Sequence, residues 1–162
     1  TTNRRDAPLA LPPNDHRMVD LKEATTLSLS MEGGAMGRMR SASLGGELKP
    51  IGEIVEAGYF WSFNGRVDGI NGDPLARLDR GQNVRLKMVN DTAFPHAMHL
   101  HGIHFHEVAE NGTLGPLRDT TLLERGQTRE IAFVADNPGQ WLLHCHMLSH
   151  AASGMMTKIV VG

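Results

Sequence analysis

The chain has 162 residues, a length that suits a single domain with a substantial hydrophobic core. Its formal net charge of -2 leaves no broad basic surface of the kind that follows nucleic-acid phosphates. No apolar run approaches the roughly 20 residues of a membrane span. We therefore expect neither a nucleic-acid partner nor a membrane partner.

Residues 1–24 are predicted to be an extended interdomain linker, because the prolines within residues 7–13 restrict the backbone and cannot donate to a sheet. Residues 25–162 are predicted to form one domain. Its first strand is expected at residues 25–31, where apolar and polar side chains alternate. Five glycines then indicate a flexible segment rather than a regular element: Gly33, Gly34, Gly37, Gly45 and Gly46.

A strand predicted at residues 59–63 ends at Asn64-Gly65, a pair typical of a hairpin turn. Further strands, separated by Gly, Asn, Asp and Pro, are predicted at residues 83–89, 99–108, 127–135, 140–144 and 155–161. Short strands at this spacing, with no long helical pattern, predict an all-β fold with the strands arranged as a β-sandwich.

The segment from residue 144 to residue 155 concentrates side chains that bind transition metals. Cys145, the only cysteine, lies between His144 and His146 and is followed by His150 and Met155. A thiolate, imidazoles and a thioether form the ligand set of a blue-copper electron-transfer site. A free cysteine is often only a small buried hydrophobic residue. The flanking histidines and the absence of a disulfide partner favour the ligand interpretation here.

A second group of histidines, His96, His99 and His101, lies upstream. Because side chains alternate across a strand, Cys145 should point to one side while its two neighbours point to the other. The economical arrangement is two groups on opposite faces. The first is a mononuclear copper site of His96, Cys145, His150 and Met155. The second is a group of four imidazoles, from His99, His101, His144 and His146.

These motifs, His-x-x-His-x-His-Gly and His-Cys-His-x-x-x-His-x-x-x-x-Met, resemble those of the C-terminal cupredoxin domain (domain 3) of bacterial three-domain multicopper oxidases, the laccase-like family. The resemblance extends to residues 61–65, 118–120 and 137–141. It implies a cupredoxin-like Greek-key β-sandwich with an extended N-terminal linker. It also implies a periplasmic or secreted protein.

The resemblance implies that His96, Cys145 and His150 hold a type 1 copper, with Met155 as its weak axial ligand. It further implies that type 1 copper passes electrons from a small reducing substrate or metal ion, through Cys145 and its neighbours, to a trinuclear type 2/type 3 copper cluster that reduces O2 to water. The ligands that this domain would supply to the cluster are His99, His101, His144 and His146. Copper is the only cofactor implied.

In the family the cluster needs eight histidines, and an N-terminal cupredoxin domain of the same oxidase supplies the other four. The histidines left over are His16, His104 and His106, and the last two are expected on the same strand as His99 but facing away from it. We therefore expect a C-terminal piece of a larger oxidase, inactive alone, whose partner is that N-terminal domain. Self-association through the exposed interdomain face could also supply a second set of four.

Two alternatives remain at this stage: a stand-alone blue-copper electron carrier, and a copper-binding or copper-buffering module. Methionines at positions 18, 31, 36 and 39 loosely resemble copper-binding inserts of some copper-efflux oxidases, although packing is the simpler interpretation. Many bacterial relatives carry an acid beside the position of His150, whereas this chain has Ser149 and Ala151. Asp119 is a candidate for a hydrogen bond to a ligand imidazole.

Overall fold

The computed structural model describes residues 10–12 and 16–162, so most of the proline-rich stretch predicted as a linker lies outside it. The described strands are β1 Thr25–Gly33, β2 Ser41–Leu44, β3 Glu47–Pro50, β4 Trp61–Phe63, β5 Ala76–Leu78, β6 Gln82–Asp91, β7 His96–Leu100, β8 Phe105–Val108, β9 Leu114–Arg118, β10 Thr120–Leu123, β11 Thr128–Ala135, β12 Gly139–Cys145 and β13 Met156–Val161. The helices are α1 Ile51–Glu56 and α2 Leu148–Ala152, with a 3-10 turn at Gly69–Asn71.

The strands form two large sheets. One has the order β4-β1-β6-β11-β8-β9 and the other β10-β7-β12-β13-β5. From β5 to β8 and again from β10 to β12, successive strands alternate between the two sheets, as they do in a Greek-key sandwich. The all-β sandwich predicted from the sequence is confirmed.

The main hydrophobic core lies between the sheets. In β6 the buried positions are Val84, Leu86, Met88 and Asn90, an alternation with period two that places one face of the strand inward. Core residues of the opposite sheet include Leu143 and Cys145 of β12. The last of these inward-facing residues of β6, Asn90, is thus polar, although it is completely buried.

β11 is buried on both faces. Ile131 and Phe133 point into the main core, whereas Ala132 and Val134 form a second small cluster with Val19 from the segment that precedes β1. Burial on both faces explains why the sequence of this strand is nearly continuously apolar. Residues 16–24 contain no helix or strand and partly cover the outer face of the larger sheet.

The prediction that the glycine-containing segment is irregular is partly wrong. β2 and β3 form an antiparallel hairpin there, whose turn is Gly45-Gly46 with φ angles of 63° and 83°. Only glycine adopts such angles at little cost, so the pair that suggested flexibility instead forms a tight turn. The hairpin and α1 enclose a small core of Met39, Ala42, Ile54 and Val67.

The prediction of a single strand at residues 99–108 is also wrong. The chain leaves β7 after Leu100, turns at Gly102 with a φ of 66°, and enters β8 at Phe105 in the other sheet. The apolar alternation continues through the turn because Ile103 and Phe105 are both buried in the core. For this reason the sequence pattern gave no sign that one strand ends and another begins. The other predicted strands agree with the observed bounds to within two residues.

Several short elements were not predicted: β5, β9, β10 and the two helices. Among the described residues, no helix is long and apolar enough to cross a membrane.

Candidate metal centre

Three side chains from different elements meet at one end of the sandwich. His96 begins β7, Cys145 ends β12, and His150 lies in α2, the short helix that follows β12. β7 and β12 are antiparallel neighbours, with Cys145 opposite Met98, so the first two side chains share the inner face of the sheet. We refer to His96, Cys145 and His150 as the triad.

The ligand atoms of the triad lie within 4.8 Å of one another. The two Nδ1 atoms are 3.2 Å apart, and Cys145 Sγ lies 3.8 Å from each. An ion about 2.0 Å from each nitrogen and about 2.3 Å from the sulfur, in a trigonal plane, requires roughly 3.5 Å between the nitrogens and roughly 3.7 Å between sulfur and nitrogen. The observed separations match one trigonal ion.

Burial keeps the triad in its neutral forms. Desolvation, together with the neighbouring His150, lowers the pKa of His96 to about 4. Desolvation also lowers the pKa of His150 and raises the pKa of the Cys145 thiol. Neutral imidazoles are competent ligands, whereas a buried thiolate requires a compensating positive charge. A bound cation would supply that charge.

Trp61 of β4 covers the triad. Its ring centroid lies 4.7 Å from that of His150 and 5.0 Å from that of His96. Gly34 and Gly154 pack so closely against Trp61 that neither position has room for a Cβ. His96 and Cys145 are completely buried, whereas His150 is half-buried.

Met155 is held next to the triad by the backbone. The Cys145 N–H donates to the Met155 carbonyl at 3.1 Å, and the Met155 N–H donates to the His150 carbonyl at 3.0 Å. Its side chain is completely buried, whereas Met156 is only half-buried and pairs with His144 across β12 and β13. Met155 is thus the better placed of the two methionines for the axial role implied by the resemblance.

Four other imidazoles cluster on the opposite face of β7 and β12. Ring centroids of His99 and His101 are 4.6 Å apart, and those of His101 and His144 are 5.0 Å apart. His146 lies 5.5 Å from His99 and 6.1 Å from His144. We refer to these residues as the four-histidine cluster. The alternation of side chains along β12 separates this cluster from the triad, with Cys145 covalently joined to a member on each side.

Backbone carbonyls orient two members of the four-histidine cluster. His99 Nδ1 lies 2.9 Å from the Asp119 carbonyl oxygen, and His144 Nδ1 lies 2.9 Å from the Cys145 carbonyl oxygen. Each Nδ1–H therefore donates, which leaves each Nε2 with a lone pair for a metal ion. Asp119 thus contacts His99 through its main chain, with Thr120 Oγ1 at 3.0 Å from the same nitrogen.

The four-histidine cluster is open to solvent on one side. His101 and His146 are exposed, His99 is half-buried and His144 is buried. Desolvation, with smaller contributions from the other three imidazoles, lowers the pKa of His101. His101 Nε2 and His144 Nε2 are 2.9 Å apart, a separation that suits two nitrogens bound to one ion.

The structure separates the remaining histidines from both groups. His106 lies on β8 in the other sheet, where its Nδ1–H donates to the Gly115 carbonyl at 2.7 Å. The ring of His16 is 5.6 Å away, and His104 lies in the turn before β8. The expectation that His104 and His106 face away from His99 holds, although the reason is a change of sheet rather than alternation along one strand.

Comparison with known proteins identifies the family. The model of the multicopper oxidase family matches residues 48–162. The chain belongs to the multicopper oxidase family. It is 36% identical over 103 residues to the multicopper oxidase MmcO of Mycobacterium tuberculosis, and 38% identical over 103 residues to a copper resistance protein A homolog of Pseudomonas syringae pv. tomato. Each match covers 64% of this chain but only 20% and 17% of the respective relative.

Solved structures share the fold. Lac15 from a marine microbial metagenome aligns with 99% of this chain and 32% of its own, at 39% identity and a TM-score of 0.64. The multi-copper oxidase of Pseudomonas thermotolerans aligns with 98% of this chain and 34% of its own, at 29% identity and a TM-score of 0.70. The cupredoxin-like sandwich is therefore confirmed, and the chain spans about a third of the length of these two proteins.

Copper is the cofactor that membership of the multicopper oxidase family implies. The triad fits it, because a thiolate with two imidazoles in trigonal geometry is the donor set that copper electron-transfer sites use. Two features of this centre were not predicted from the sequence: the cover formed by Trp61, and a hydrogen bond between the Thr92 hydroxyl and Nε2 of His96. The motif at residues 61–65 contained the first signal, whereas the second had none.

Proposed function

We propose that this chain is the C-terminal cupredoxin domain, domain 3, of a three-domain laccase-like multicopper oxidase. Residues 25–162 form the domain, and residues 1–24 connect it to the preceding part of the oxidase. The observation that carries the proposal is the pairing of two histidine groups across one sheet. The triad is closed and complete, whereas the four-histidine cluster is open on one side.

In this proposal His96, Cys145 and His150 would hold type 1 copper, with the thioether of Met155 as a fourth, weaker ligand. The four-histidine cluster supplies half of the ligands of a trinuclear type 2/type 3 centre. Copper at these sites supplies one-electron chemistry, which couples the oxidation of a small reducing substrate or metal ion to the reduction of O2 to water.

The chain contributes a short covalent connection between the two groups. Cys145 lies between His144 and His146 in sequence, and the hydrogen bond from His144 Nδ1 to the Cys145 carbonyl adds a second path at 2.9 Å. Neither path requires a side chain to move. The half-buried edge of His150 is the side of the triad nearest to solvent, so we propose it as the entry point for electrons.

The proposed partner is the N-terminal cupredoxin domain of the same oxidase, which would cover the exposed edges of His101 and His146 and supply the missing imidazoles. Self-association of this chain through the same face is the competing way to complete the centre. We further propose a periplasmic or secreted location, consistent with the copper resistance proteins among the relatives.

Each of the two alternative functions leaves part of the observed arrangement of histidines unexplained. A stand-alone electron carrier needs only the triad and leaves the four-histidine cluster without a role. A copper-buffering module would not need His99 and His144 to be oriented by carbonyl hydrogen bonds. The oxidase proposal accounts for both groups.

The test compares O2 consumption by the copper-loaded chain alone and after addition of the N-terminal cupredoxin domain of the same oxidase, with a phenol or cuprous ion as reductant. We expect O2 reduction only with both parts present. His101→Ala should abolish it, whereas His104→Ala, which removes an exposed histidine outside the cluster, should not. Equal O2 reduction by the chain alone, when dilute and monomeric, would overturn the proposal.

A further inference from the structure

A buried hydrogen-bond network lies behind His96, on the side away from Cys145. Its centre is Asn90, the polar residue that ends the inner row of β6 and is completely buried. Asn90 contacts Thr92, and the Thr92 hydroxyl lies 2.7 Å from His96 Nε2. A buried polar network costs stability unless its members are satisfied, so the direction of each hydrogen bond can be deduced.

The amide of Asn90 can be oriented without ambiguity. Its Nδ2 lies 2.8 Å from the Phe94 carbonyl, 3.0 Å from that of Glu124 and 3.3 Å from that of Leu123. Carbonyl oxygens only accept, so the atom that faces them must be the NH2 group. The amide oxygen therefore faces Thr92, where it accepts from the backbone N–H at 3.1 Å.

The orientation of Asn90 determines the direction of the Thr92 hydroxyl. Asn90 Oδ1 carries no hydrogen, so the hydroxyl donates its single proton across the 2.7 Å contact to that oxygen. The Phe94 carbonyl, another acceptor, is farther away at 3.1 Å. Donation to His96 Nε2 instead would leave Thr92 Oγ1 and Asn90 Oδ1 facing each other at 2.7 Å with no hydrogen between them. Thr92 Oγ1 is then left only with acceptor capacity, which the Phe94 N–H uses in part at 3.2 Å.

The remaining bond reaches the ring of His96. An oxygen that can only accept requires a hydrogen on Nε2, and a neutral imidazole with that hydrogen has a lone pair on Nδ1. Nδ1 is the nitrogen that faces Cys145 Sγ and His150 Nδ1. The Nδ1 lone pair of His96 therefore lies 3.2 Å from His150 Nδ1 and 3.8 Å from Cys145 Sγ.

We propose that Asn90 and Thr92 are positioning residues that select the Nε2–H tautomer of His96 and thereby present its Nδ1 lone pair to the metal. This inference rests on the proposed function only in taking His96 as a copper ligand. The three backbone carbonyls at Asn90 Nδ2 thus determine where the lone pair of His96 lies, and they do so before any metal binds.

The two imidazoles of the triad are consequently different. In the part of the chain that the structure describes, the hydrogen-bonding contacts of the His150 ring are at Nδ1, toward the other two members of the triad. His96 is thus the oriented ligand and His150 the adjustable one. His150 is also the ligand on the half-buried side.

The test begins with the metal-free chain, labelled with 15N in its histidine rings. Two-bond 1H–15N spectra near pH 7 should show His96 with a protonated Nε2 and an unprotonated Nδ1, and the Nε2–H should exchange slowly with solvent. Spectra with a protonated Nδ1, or with a rapidly averaging mixture, would overturn the inference. This readout needs neither copper nor a variant.

The second readout uses Thr92→Val, which keeps the branched shape but removes the hydroxyl, and Thr92→Ser, which keeps the hydroxyl as the matched control. We expect Thr92→Val to lose the single tautomer and to weaken copper binding by about 10- to 100-fold, the usual effect of removing a hydrogen-bond partner of a metal ligand. Thr92→Ser should retain the tautomer and the affinity. Unchanged tautomer and affinity in Thr92→Val would also overturn the inference.

Failure of the two proposals would look different. A wild-type chain that shows the expected His96 tautomer but gives no blue copper spectrum would refute the copper assignment and leave the positioning role intact. A wild-type chain that is blue, with a Thr92→Val variant that is unchanged in tautomer and affinity, would refute the positioning role alone.

Discussion

The triad and the four-histidine cluster are built on the same two strands, β7 and β12, yet they differ in almost every physical respect. The triad lies on the inner face, and the short helix α2 brings His150 over it to complete three ligands within 4.8 Å. The four-histidine cluster lies on the outer face, where His101 and His146 are exposed. The inner face and one short helix thus bring a complete set of three donors together, whereas the outer face leaves two of its four imidazoles exposed.

The two groups also differ in how their rings are oriented. His96 is oriented by a buried side-chain network that passes through Asn90 and Thr92. His99 and His144 are oriented by backbone carbonyls of residues 119 and 145. Backbone acceptors survive most substitutions, whereas a side-chain network can be removed by one. We therefore expect the triad to be the more sensitive of the two to mutation of residues that never touch the metal.

Substitution of Cys145 should produce the largest difference between the triad and the four-histidine cluster. Cys145→Ser should abolish the intense blue absorption of the copper-loaded chain, because that band requires a thiolate ligand, while copper binding at the four-histidine cluster remains. The measurement is a visible and electron-paramagnetic-resonance spectrum of copper-loaded protein. The matched control is His146→Ala, which alters the neighbouring residue on the other face and should leave the blue band in place. A blue Cys145→Ser protein would refute the type 1 assignment.

Acidification should destabilise the metal-free chain through the triad. The pKa of His96 is lowered to about 4, below its ordinary value of 6.5, so between these pH values the unfolded chain binds a proton that the folded chain does not. The free energy of unfolding should therefore decrease as pH falls from 6.5 to 4, by about 3 kcal/mol from this group. Urea unfolding at several pH values measures this.

The contribution of His96 can be separated by substitution. His96→Gln should flatten the pH dependence of stability, whereas His101→Ala, which removes an exposed member of the four-histidine cluster, should leave most of it. An equal effect of the two substitutions would show that the acid sensitivity does not arise in the triad.

Alanine substitutions at two glycines can separate the cost of crowding near the four-histidine cluster from the cost of backbone strain. Gly102, which follows His101, has a φ of 66° and packs against the ring of Trp141 with no room for a Cβ, whereas Gly45 has a φ of 63° and open space around it. Both alanine substitutions should cost about 1 kcal/mol in backbone strain. Gly102→Ala should cost about 2 kcal/mol more, measured by urea unfolding. Equal losses would mean that Trp141 moves aside freely.

The smallest expected effect concerns Met155. Met155→Leu should leave the copper-loaded chain blue but raise its reduction potential, because loss of the thioether removes the weak axial donor that favours the oxidised ion. Redox titration followed at the blue band measures the shift. Met156→Leu is the matched control and should not change the potential. If Met156→Leu changed the potential and Met155→Leu did not, Met156 would be the axial ligand instead.

The sequence predicted the separation of the two groups because it depends only on alternation along a strand. Once residues 140–144 were taken as a strand, Cys145 and its neighbours had to face opposite sides. The approach of His150 could not be obtained in this way, since it requires the α2 turn after β12; His150 was assigned to the site because the ligand set of a blue-copper site includes a second imidazole. The bounds of the linker and of the domain remain predictions.

Other features depend on tertiary packing that no local pattern encodes. The break between β7 and β8 was missed because Ile103 continues the apolar alternation through a turn. Asn90 and Thr92 lie between two predicted strands, and no motif in the sequence distinguishes them. Their role emerges only when β6 and β10 bring the carbonyls of Leu123 and Glu124 to the Asn90 amide.

The assignment of the triad as a type 1 copper site is best tested by a copper titration of the 162-residue chain, with bound copper per chain and the visible and electron-paramagnetic-resonance spectra measured together. We predict that the blue band saturates at one type 1 copper per chain and that the monomer does not reduce O2 by itself. Absence of a blue band at full copper loading would contradict it, because the triad would then contain the ligands without forming the site.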